Sequence, residues 1–402
     1  MRTIKTYILV VIAFGTAFGL QMPAKAQLWT WTQSTNAPAL AWWAVASSAD
    51  GTRLAAVVRN GGIYTSTNSG FTWISNSAPV RNWWAVASSA DGTKLAAVIN
   101  TLSSVGNGGV YTNNGLTWNI TSAPAYIQSW QSIASSSNGM NLVASSSVAP
   151  NTGRIYTSTD AGNTWNLTPP IFLQWNGVAC SADGTKLVAT PYTNSIYTSP
   201  DAGATWTTNA LPISPSAYSG YSWSVASSAD GTKLVTGGIS PSVRSIFTSS
   251  DSGTTWVSNN APNGAWYSVA ASADGTILAA ASPTIICTST NFGQNWVSNN
   301  VPSHTWVSVA MSADASKMVA LGYDGFIYTA QLTPPSLNAS LSGTNLTIAW
   351  PGYATNYQLQ QNPTLSGNLW TAATYPITPS NGQNEIVVPA TNRQTFFRLQ
   401  SK

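Results

Sequence analysis

The chain has 402 residues, of which 43% are hydrophobic and only 6% are charged, and its formal net charge is +4. Ordinary proteins carry about 25% charged residues, so hydroxyl and amide groups must keep this surface polar, as is common in exported β-proteins. The small net charge and the lack of any Lys/Arg cluster argue against nucleic-acid binding. One histidine and two cysteines leave too few ligands for a zinc site, and we expect no metal and no cofactor.

Residues 1–26 have the pattern of a signal peptide. Arg2 and Lys5 precede the apolar run "ILVVIAFGTAFGL", and "AKA" forms a small-x-small cleavage site that ends at Ala26. The apolar run is shorter than the roughly 20 residues that a membrane-spanning helix needs. We therefore expect cleavage after Ala26 and a mature chain that is secreted to the periplasm, the cell surface or the medium, without a membrane span.

The next feature is a segment of the form "SSADGTKLAAV" that recurs along the chain at intervals of roughly 40–47 residues. Its turn residues are Asp50, Asp91, Asn138, Asp183, Asp230, Asp274 and Asp314. Each repeat has a Trp-led strand, this turn, a second strand, a variable loop, a strand like "GGIYTST", and a polar turn before a last strand. Four short strands at this spacing predict a propeller blade. We predict an all-β chain with a seven-bladed β-propeller over residues 27–332.

Ring closure is also predicted. The seventh repeat begins at Trp306 and lacks its fourth strand, whereas the mature N-terminus, "LWTWTQSTNAP", reads like the fourth strands of other repeats. An N-terminal strand that completes the last blade would leave no open edge. The Asp-Gly step is then a tight turn that needs a positive φ. Cys180 and Cys287 lie two repeats apart on different strands, so we expect two isolated buried thiols.

A second signature precedes the fourth strands, with copies such as "STNSGFTW", "STDAGNTW" and "SSDSGTTW". These segments resemble Asp-box, or BNR, repeats of the form Ser-x-Asp-x-Gly-x-Thr-Trp. Such repeats occur in sialidase-like propellers of the WD40/YVTN/BNR type, including sialidases, other glycoside hydrolases, sortilin and photosystem assembly factors. The resemblance implies that the box is a folding element and that its polar residues are structural; they are Asn68, Asp160, Asp201, Asp251 and Asn291.

The resemblance to sialidases implies a test for catalysis. Those enzymes use three arginines, a Tyr nucleophile helped by Glu, and an Asp acid/base. Here Glu385 is the sole glutamate and lies outside the propeller, no Arg-Ile-Pro motif occurs, and Asp324 is the one aspartate outside the repeated turns. A paired-carboxylate mechanism needs two acids at one site. We predict a non-enzymatic protein, with a sialidase-like glycosidase or a degenerate relative as the alternative.

Two faces of a propeller can be distinguished. The first turn and the Asp box of each repeat lie on one face, here called the turn face. The loops between second and third strands lie on the other, the top face, where the first strands begin. The top face is predicted to bind a polysaccharide, including an acidic one, because indoles stack on sugars and arginine holds carboxylates. The candidate residues are Arg59, Arg81, Arg154, Arg244, Asp324, Trp42, Trp83, Trp130, Trp175, Trp266 and Trp306.

Packing between blades is the other interpretation of these tryptophans. The longer top-face loops, residues 100–109, 146–154 and 238–244, are better candidates for specificity. Residues 333–337 read as a linker and 338–402 as a small β-sandwich that resembles a fibronectin type III module. We predict an exported, monomeric binding scaffold for a polysaccharide or a protein partner. An assembly factor or a cell-surface structural protein is a further alternative.

Overall fold

The structure is a computed structural model of the whole chain. It describes residues 8–10, 29–101, 108–113, 117–124, 129–147, 153–169, 172–193, 195–212, 222–239, 245–332, 335, 337–351, 357–363, 370–380, 383–389 and 395–401. The chain divides into two compact units. One is Trp29–Leu332, and the other combines Met1–Leu28 with Thr333–Lys402. The residues predicted as a linker, 333–337, fall mostly outside the described ranges.

Within its described residues, the unit Trp29–Leu332 is built from seven four-stranded antiparallel sheets, numbered here in chain order. Sheet 1 consists of Trp42–Ser47, Leu54–Val58, Ile63–Ser66 and Ile74–Ser75. Sheet 2 consists of Trp83–Ser88, Leu95–Ile99, Val110–Asn113 and Trp118–Ile120. Sheet 3 consists of Trp130–Ser135, Leu142–Ser146, Ile155–Ser158 and Asn166–Leu167. Sheet 4 consists of Trp175–Cys180, Leu187–Pro191, Ser195–Ser199 and Thr207–Ala210. Sheet 5 consists of Ser222–Ser227, Leu234–Ile239, Ile246–Ser249 and Val257–Ser258. Sheet 6 consists of Ser268–Ala271, Leu278–Ala281, Ile286–Ser289 and Val297–Ser298, and sheet 7 of Trp306–Met311, Lys317–Gly322, Ile327–Leu332 and Trp29–Gln33.

Neighbouring sheets are joined by a cycle of backbone hydrogen bonds on the turn face. At the residue before each turn aspartate or asparagine, the N–H donates to the carbonyl of the equivalent residue in the next sheet, at 2.7–2.8 Å. The series runs through Ala49, Ala90, Ser137, Ala182, Ala229, Ala273 and Ala313, and the N–H of Ala313 donates to Ala49. Because the last bond returns to the first residue, the sheets form a closed ring.

The ring is completed by the N-terminal strand, as predicted. Trp29–Gln33 pairs antiparallel with Ile327–Leu332, so that Trp29 lies opposite Leu332. The indole of Trp29 is buried, and its Nε1 donates to the carbonyl of Ala315 at 2.9 Å. The first described strand of this unit therefore covers the outer strand of its last sheet.

The core lies between adjacent sheets. The leading tryptophan of a first strand contacts aromatic residues of its own sheet: the Trp42 ring lies 5.2 Å from Tyr64 and 5.9 Å from Trp73, centroid to centroid. Trp83 repeats the arrangement with Tyr111 and Trp118. Aromatic side chains bury about 150–250 Å² each, so these clusters contribute strongly to the free energy of folding.

The second unit contains two four-stranded sheets in its described residues. Sheet 8 has the order Asn338–Ser342, Asn345–Pro351, Gln383–Pro389, Thr378–Ser380, and sheet 9 the order Ile8–Val10, Phe396–Ser401, Tyr357–Asn362, Thr371–Ala372. Their core includes Ile348, Trp350, Ile386, Phe397 and Leu399. Ile8–Val10 belongs to the predicted signal peptide and pairs antiparallel with Phe397–Leu399. Cleavage after Ala26 would remove this strand and leave Phe396–Ser401 at the edge of sheet 9.

A candidate binding site on the top face

The leading tryptophans do not form a binding surface. All six have 0% of their surface exposed; they are Trp42, Trp83, Trp130, Trp175, Trp266 and Trp306. An indole without accessible surface offers no face to a sugar ring, because stacking requires contact with that face. This part of the binding prediction is wrong, and the other interpretation, packing between sheets, describes these residues.

The second tryptophan of sheets 1 and 2 is placed differently. Trp43 and Trp84 follow Trp42 and Trp83 directly, at an irregularity in the pairing of the first two strands. Successive side chains of a strand point to opposite sides. Trp43 and Trp84 are only partly buried, and each packs against the margin of an apolar cluster shared with the next sheet. Their rings lie 4.6 Å apart, tilted by 43°, although they belong to different sheets.

Tyr323 and Arg59 complete this group. Tyr323 comes from the loop between the second and third strands of sheet 7, is 42% exposed, and meets Trp43 edge to face at 6.0 Å. Arg59 comes from the corresponding loop of sheet 1. Its guanidinium carbon lies 5.1 Å from the centroid of Trp43 and 5.4 Å from that of Trp84. We call Trp43, Arg59, Trp84 and Tyr323 the aromatic–arginine cluster.

The charge of Arg59 is held by aromatic rings and not by a carboxylate. In the part of the chain that the structure describes, its guanidinium has no hydrogen bond or ion pair. A cation over an indole is attracted by the ring quadrupole, with about 0.5–1 kcal/mol at exposed sites. Stacking also fixes the plane of the guanidinium, and it leaves the N–H groups at the edge of that plane available to a ligand.

The other predicted arginines lie in two further places. Arg81 is exposed, and its backbone exchanges two hydrogen bonds with Gly61, at 3.0 and 3.1 Å, which places it beside the loop of Arg59. Arg154 lies over the ring of Phe172, at 5.1 Å, and Phe172 is 47% exposed. Arg244 lies outside the described residues, as does most of each long top-face loop.

Asp324 pairs with the single histidine of the chain. His304 Nδ1 lies 2.7 Å from Asp324 Oδ2, and the imidazole packs against Phe326 at 4.4 Å and Trp306 at 5.2 Å. Nε2 of His304 is buried and has no hydrogen-bond partner among the described residues. The partner of Asp324 is thus an imidazole whose second nitrogen faces the protein. Within the described ranges, Asp324 belongs to no group of three or more His, Cys, Asp or Glu side chains.

The turn-face carboxylates are saturated by their own turns. Asp91 accepts hydrogen bonds from the Ser89 hydroxyl and from both the backbone N–H and the hydroxyl of Thr93. These hydrogen bonds, led by that of Ser89, lower the pKa of Asp91 to about 2. Asp230 has the same surroundings and also a pKa lowered to about 2. Such groups are ionised structural acids, not poised acid/base catalysts.

The Asp boxes form similar closed turns. Asp160 accepts from the backbone N–H of Thr164 at 2.8 Å and from its hydroxyl at 2.6 Å, while Ser158 Oγ accepts from the N–H of Gly162 at 2.9 Å. Trp165 Nε1 donates to the carbonyl of Gly162 at 3.1 Å. The equivalent polar residues accept a hydrogen bond from the corresponding backbone N–H; they are Asn68, Asp201, Asp251 and Asn291. All five are used within their turns.

Other reactive groups are few in the described residues. No helix there is long and apolar enough to cross a membrane, and no group of three metal-ligating side chains occurs. The two cysteines are free thiols. Burial raises the pKa of Cys180 to about 12 and also raises that of Cys287. Neither thiol has the low pKa that a nucleophile requires.

No protein-family model matches this chain, and no curated protein matches it. Solved structures do match. YCF48 bound to D1 peptide shares 14% identity with a TM-score of 0.56, covering 77% of this chain and 99% of that one. YCF48 from Cyanidioschyzon merolae shares 14% identity with a TM-score of 0.56, covering 75% and 98%. A catalytically inactive virginiamycin B lyase from Staphylococcus aureus, with quinupristin, shares 14% identity with a TM-score of 0.58, covering 76% and 100%.

These neighbours define the class of the fold. The chain has the β-propeller fold, with repeated four-stranded antiparallel sheets. Identity of 14% says nothing further about activity, because one fold hosts many unrelated functions. Function has to be argued from the site.

Sequence reasoning missed the aromatic–arginine cluster except for Arg59. The signal was present: the pair "WW" occurs in the first two repeats, at 42–43 and 83–84. Had the alternation of strand side chains been applied to both members of each pair, Trp43 and Trp84 would have been placed on the opposite side of the strand from Trp42 and Trp83. Tyr323 carried no comparable signal, because it reaches Trp43 only through ring closure.

Proposed function

We propose that this protein is an exported, non-catalytic, seven-bladed β-propeller whose top face binds a ligand through the aromatic–arginine cluster. The observation that carries the proposal is the position of Arg59. Its guanidinium lies over two indoles from neighbouring sheets and has no protein partner in the described residues. A fixed cation beside an exposed aromatic ring is a group that binds ligands and has no role in closing the ring.

The seven blades of this proposal correspond to the seven sheets, and the cyclic hydrogen bonds from Ala49 to Ala313 support that count. The closed turns around Asp160 and its equivalents support the interpretation of these segments as Asp boxes. We also propose that sheets 8 and 9 are the two layers of a fibronectin type III-like sandwich. Their shared apolar core, from Leu337 to Leu399, is what supports it.

The absence of catalysis in this proposal follows from where the acids are. The turn-face aspartates are held by hydroxyls and backbone N–H groups, and Asp324 is held by His304. A hydrolase of the glycosidase type needs one carboxyl group free to donate a proton and a second one near it. We therefore favour binding over hydrolysis.

The solved structures of this fold include complexes with ligands. One YCF48 structure is described as bound to a peptide, and the virginiamycin B lyase structure is an inactive variant with quinupristin. For this chain we propose a binding scaffold at the cell surface or outside the cell. Its export rests on the signal peptide predicted from residues 1–26.

The function is tested by screening the purified exported protein on a glycan array and against a peptide library. Arg59→Ala and Tyr323→Ala should lose at least one ligand that the native protein retains. Arg53→Ala is the matched control, because Arg53 is an exposed arginine on the turn face. If both top-face variants still bind every ligand of the native protein, the aromatic–arginine cluster is not the binding site.

A further inference from the structure

We infer that the ligand of the top face is a carboxylate-bearing polysaccharide, a polymer of uronic acids, held at two arginine–aromatic positions. This inference rests on the proposed binding function and adds to it the chemical class of the ligand. Arg59 in sheet 1 and Arg154 in sheet 3 are the two positions.

The first position selects for a carboxylate. A guanidinium presents parallel N–H donors at its edge that match the two oxygens of a carboxylate, and such bidentate pairs are among the stronger hydrogen bonds. The guanidinium of Arg59 lies over the indoles of Trp43 and Trp84, at 5.1 and 5.4 Å from their centroids. Preorganisation of this kind reduces the side-chain entropy that binding must overcome.

The electrostatics of the surroundings agree with an anion. The Arg59 loop is next to that of Arg81, which is exposed and whose described side-chain hydrogen bond goes to the carbonyl of Val80. Asp324, the acid that the structure describes among the top-face loops, is paired with His304. A carboxylate at Arg59 would therefore bind beside a loop that carries a second arginine and would displace no described acid of the protein.

The second position points to a polymer. Arg154 lies over Phe172, as Arg59 lies over its indoles, and it is found in the same connection of sheet 3, between Leu142–Ser146 and Ile155–Ser158. One sheet separates the two positions. Packed sheets lie about 10 Å apart, so the two arginines are on the order of 20 Å apart. A single carboxylate cannot reach both, whereas a chain that carries a carboxylate on each unit can.

The rings beside the arginines favour a saccharide over an acidic peptide. Tyr323 and Phe172 are 42% and 47% exposed, and each stands beside one of the two positions. The C–H face of a sugar ring can stack on such aromatic surface. An acidic peptide has no apolar ring face of this kind in its backbone, so the exposed rings would contribute less to binding it.

The experiment uses oligogalacturonates of increasing length, and the same oligomers with methyl-esterified carboxyl groups, titrated into the purified exported protein by calorimetry. Esterification keeps the sugar rings and removes the charge. The acid form should bind at least 10-fold more tightly than the ester, and added salt should weaken it. Arg59→Ala should weaken the binding of oligomers of every length by about 10- to 100-fold. Arg59→Lys keeps the charge but loses the planar fork, so its affinity should lie between those of the native protein and Arg59→Ala.

Arg154→Ala tests the second position specifically. It should weaken binding of long oligomers and leave the shortest binding oligomer unchanged, because only long chains reach the second position. Arg53→Ala should change nothing. Equal affinity for acid and ester overturns the carboxylate inference while the binding function stands. A ligand dependent on Arg59 that proves to be an acidic peptide overturns the saccharide class. If no oligogalacturonate binds but another ligand depends on Arg59, the inference is overturned and the binding function stands. If every ligand found binds independently of Arg59, the inference and the proposed function are overturned together.

Discussion

The two faces of the ring are built from the same repeats but differ in how regular they are. On the turn face each sheet repeats one set of contacts: a carboxylate or amide held by its turn, and a backbone bond to the next sheet. On the top face the repeats diverge. Trp43 and Trp84 have no aromatic equivalents at Gln131 and Asn176. The regular face contains contacts that every repeat needs to fold, and the irregular face contains groups that only some repeats carry. The irregular face is where a ligand-specific surface can be built.

The largest expected effect concerns the strand that completes the ring. Deletion of Trp29–Gln33 removes the partner of Ile327–Leu332 and exposes that edge. We expect loss of cooperative thermal unfolding and concentration-dependent association, measured by calorimetry and light scattering. A variant truncated only up to Leu28 is the control. A monomeric, cooperatively unfolding deletion variant would show that closure does not depend on this strand.

The second prediction compares a core tryptophan with a top-face one. Trp130→Ala removes a fully buried indole, and we expect it to reduce the free energy of unfolding by about 3–5 kcal/mol. Trp84→Ala removes a partly buried indole of the aromatic–arginine cluster, so it should cost clearly less stability but lose ligand binding. Urea denaturation and titration separate the two effects. Equal loss of stability in both variants would remove the distinction between the core tryptophans and those of the top face.

Substitution of a turn-face glycine, in contrast to that of Trp84, should reduce stability and leave ligand binding unchanged. Gly92 has a φ of +69°, and a Cβ there would lie 2.6 Å from the Cβ of Arg53 in the preceding sheet. Gly92→Ala should therefore cost about 1–2 kcal/mol of stability from the backbone conformation alone. Ligand affinity should remain that of the native protein. If the folded Gly92→Ala protein bound the ligand more weakly than the native protein does, the two faces would be coupled.

The smallest expected effect is a dependence on acid pH. The folded-state pKa values of Asp91 and Asp230 are about 2, below the ordinary value of 3.8. A lowered folded pKa means that the stabilisation is present above pH 4 and is lost as the pH falls from about 4 to 2. Thermal midpoints should decline over that window. The double variant Asp91→Asn, Asp230→Asn should decline less, and an unchanged slope would contradict the role given to these hydrogen bonds.

Sequence reasoning could predict the features that repeat. The Asp-Gly turns, the four strands of each repeat and the pairing of "LWTWTQSTNAP" with the last sheet follow from spacing and alternation. The turn at Asp314 also kept its shape without a glycine, because Ala315 adopts a φ of 54°. A pattern repeated along a chain averages out local exceptions, which is why this part was predictable.

The site depends instead on contacts that occur once. His304 and Asp324 meet across a hairpin of sheet 7, and Tyr323 meets Trp43 only because the last sheet packs against the first. The burial of Trp42 and the partial exposure of Trp43 differ by one residue at an irregularity in strand pairing. The same irregularity recurs in sheets 3, 4 and 7, so alternation could have separated Trp42 from Trp43. The contacts of Trp43 with rings of sheets 2 and 7 follow from no such pattern.

The position of Trp29–Gln33 sets an order of events during synthesis. Domains generally fold as their residues emerge, from the N-terminus onward. Here the first strand of the ring has its partner in Ile327–Leu332, so it must wait until nearly the whole ring has been made. The intermediate sheets can form earlier, but the ring cannot lock. Final closure of the ring therefore cannot precede the synthesis of Ile327–Leu332, however early the intermediate sheets form.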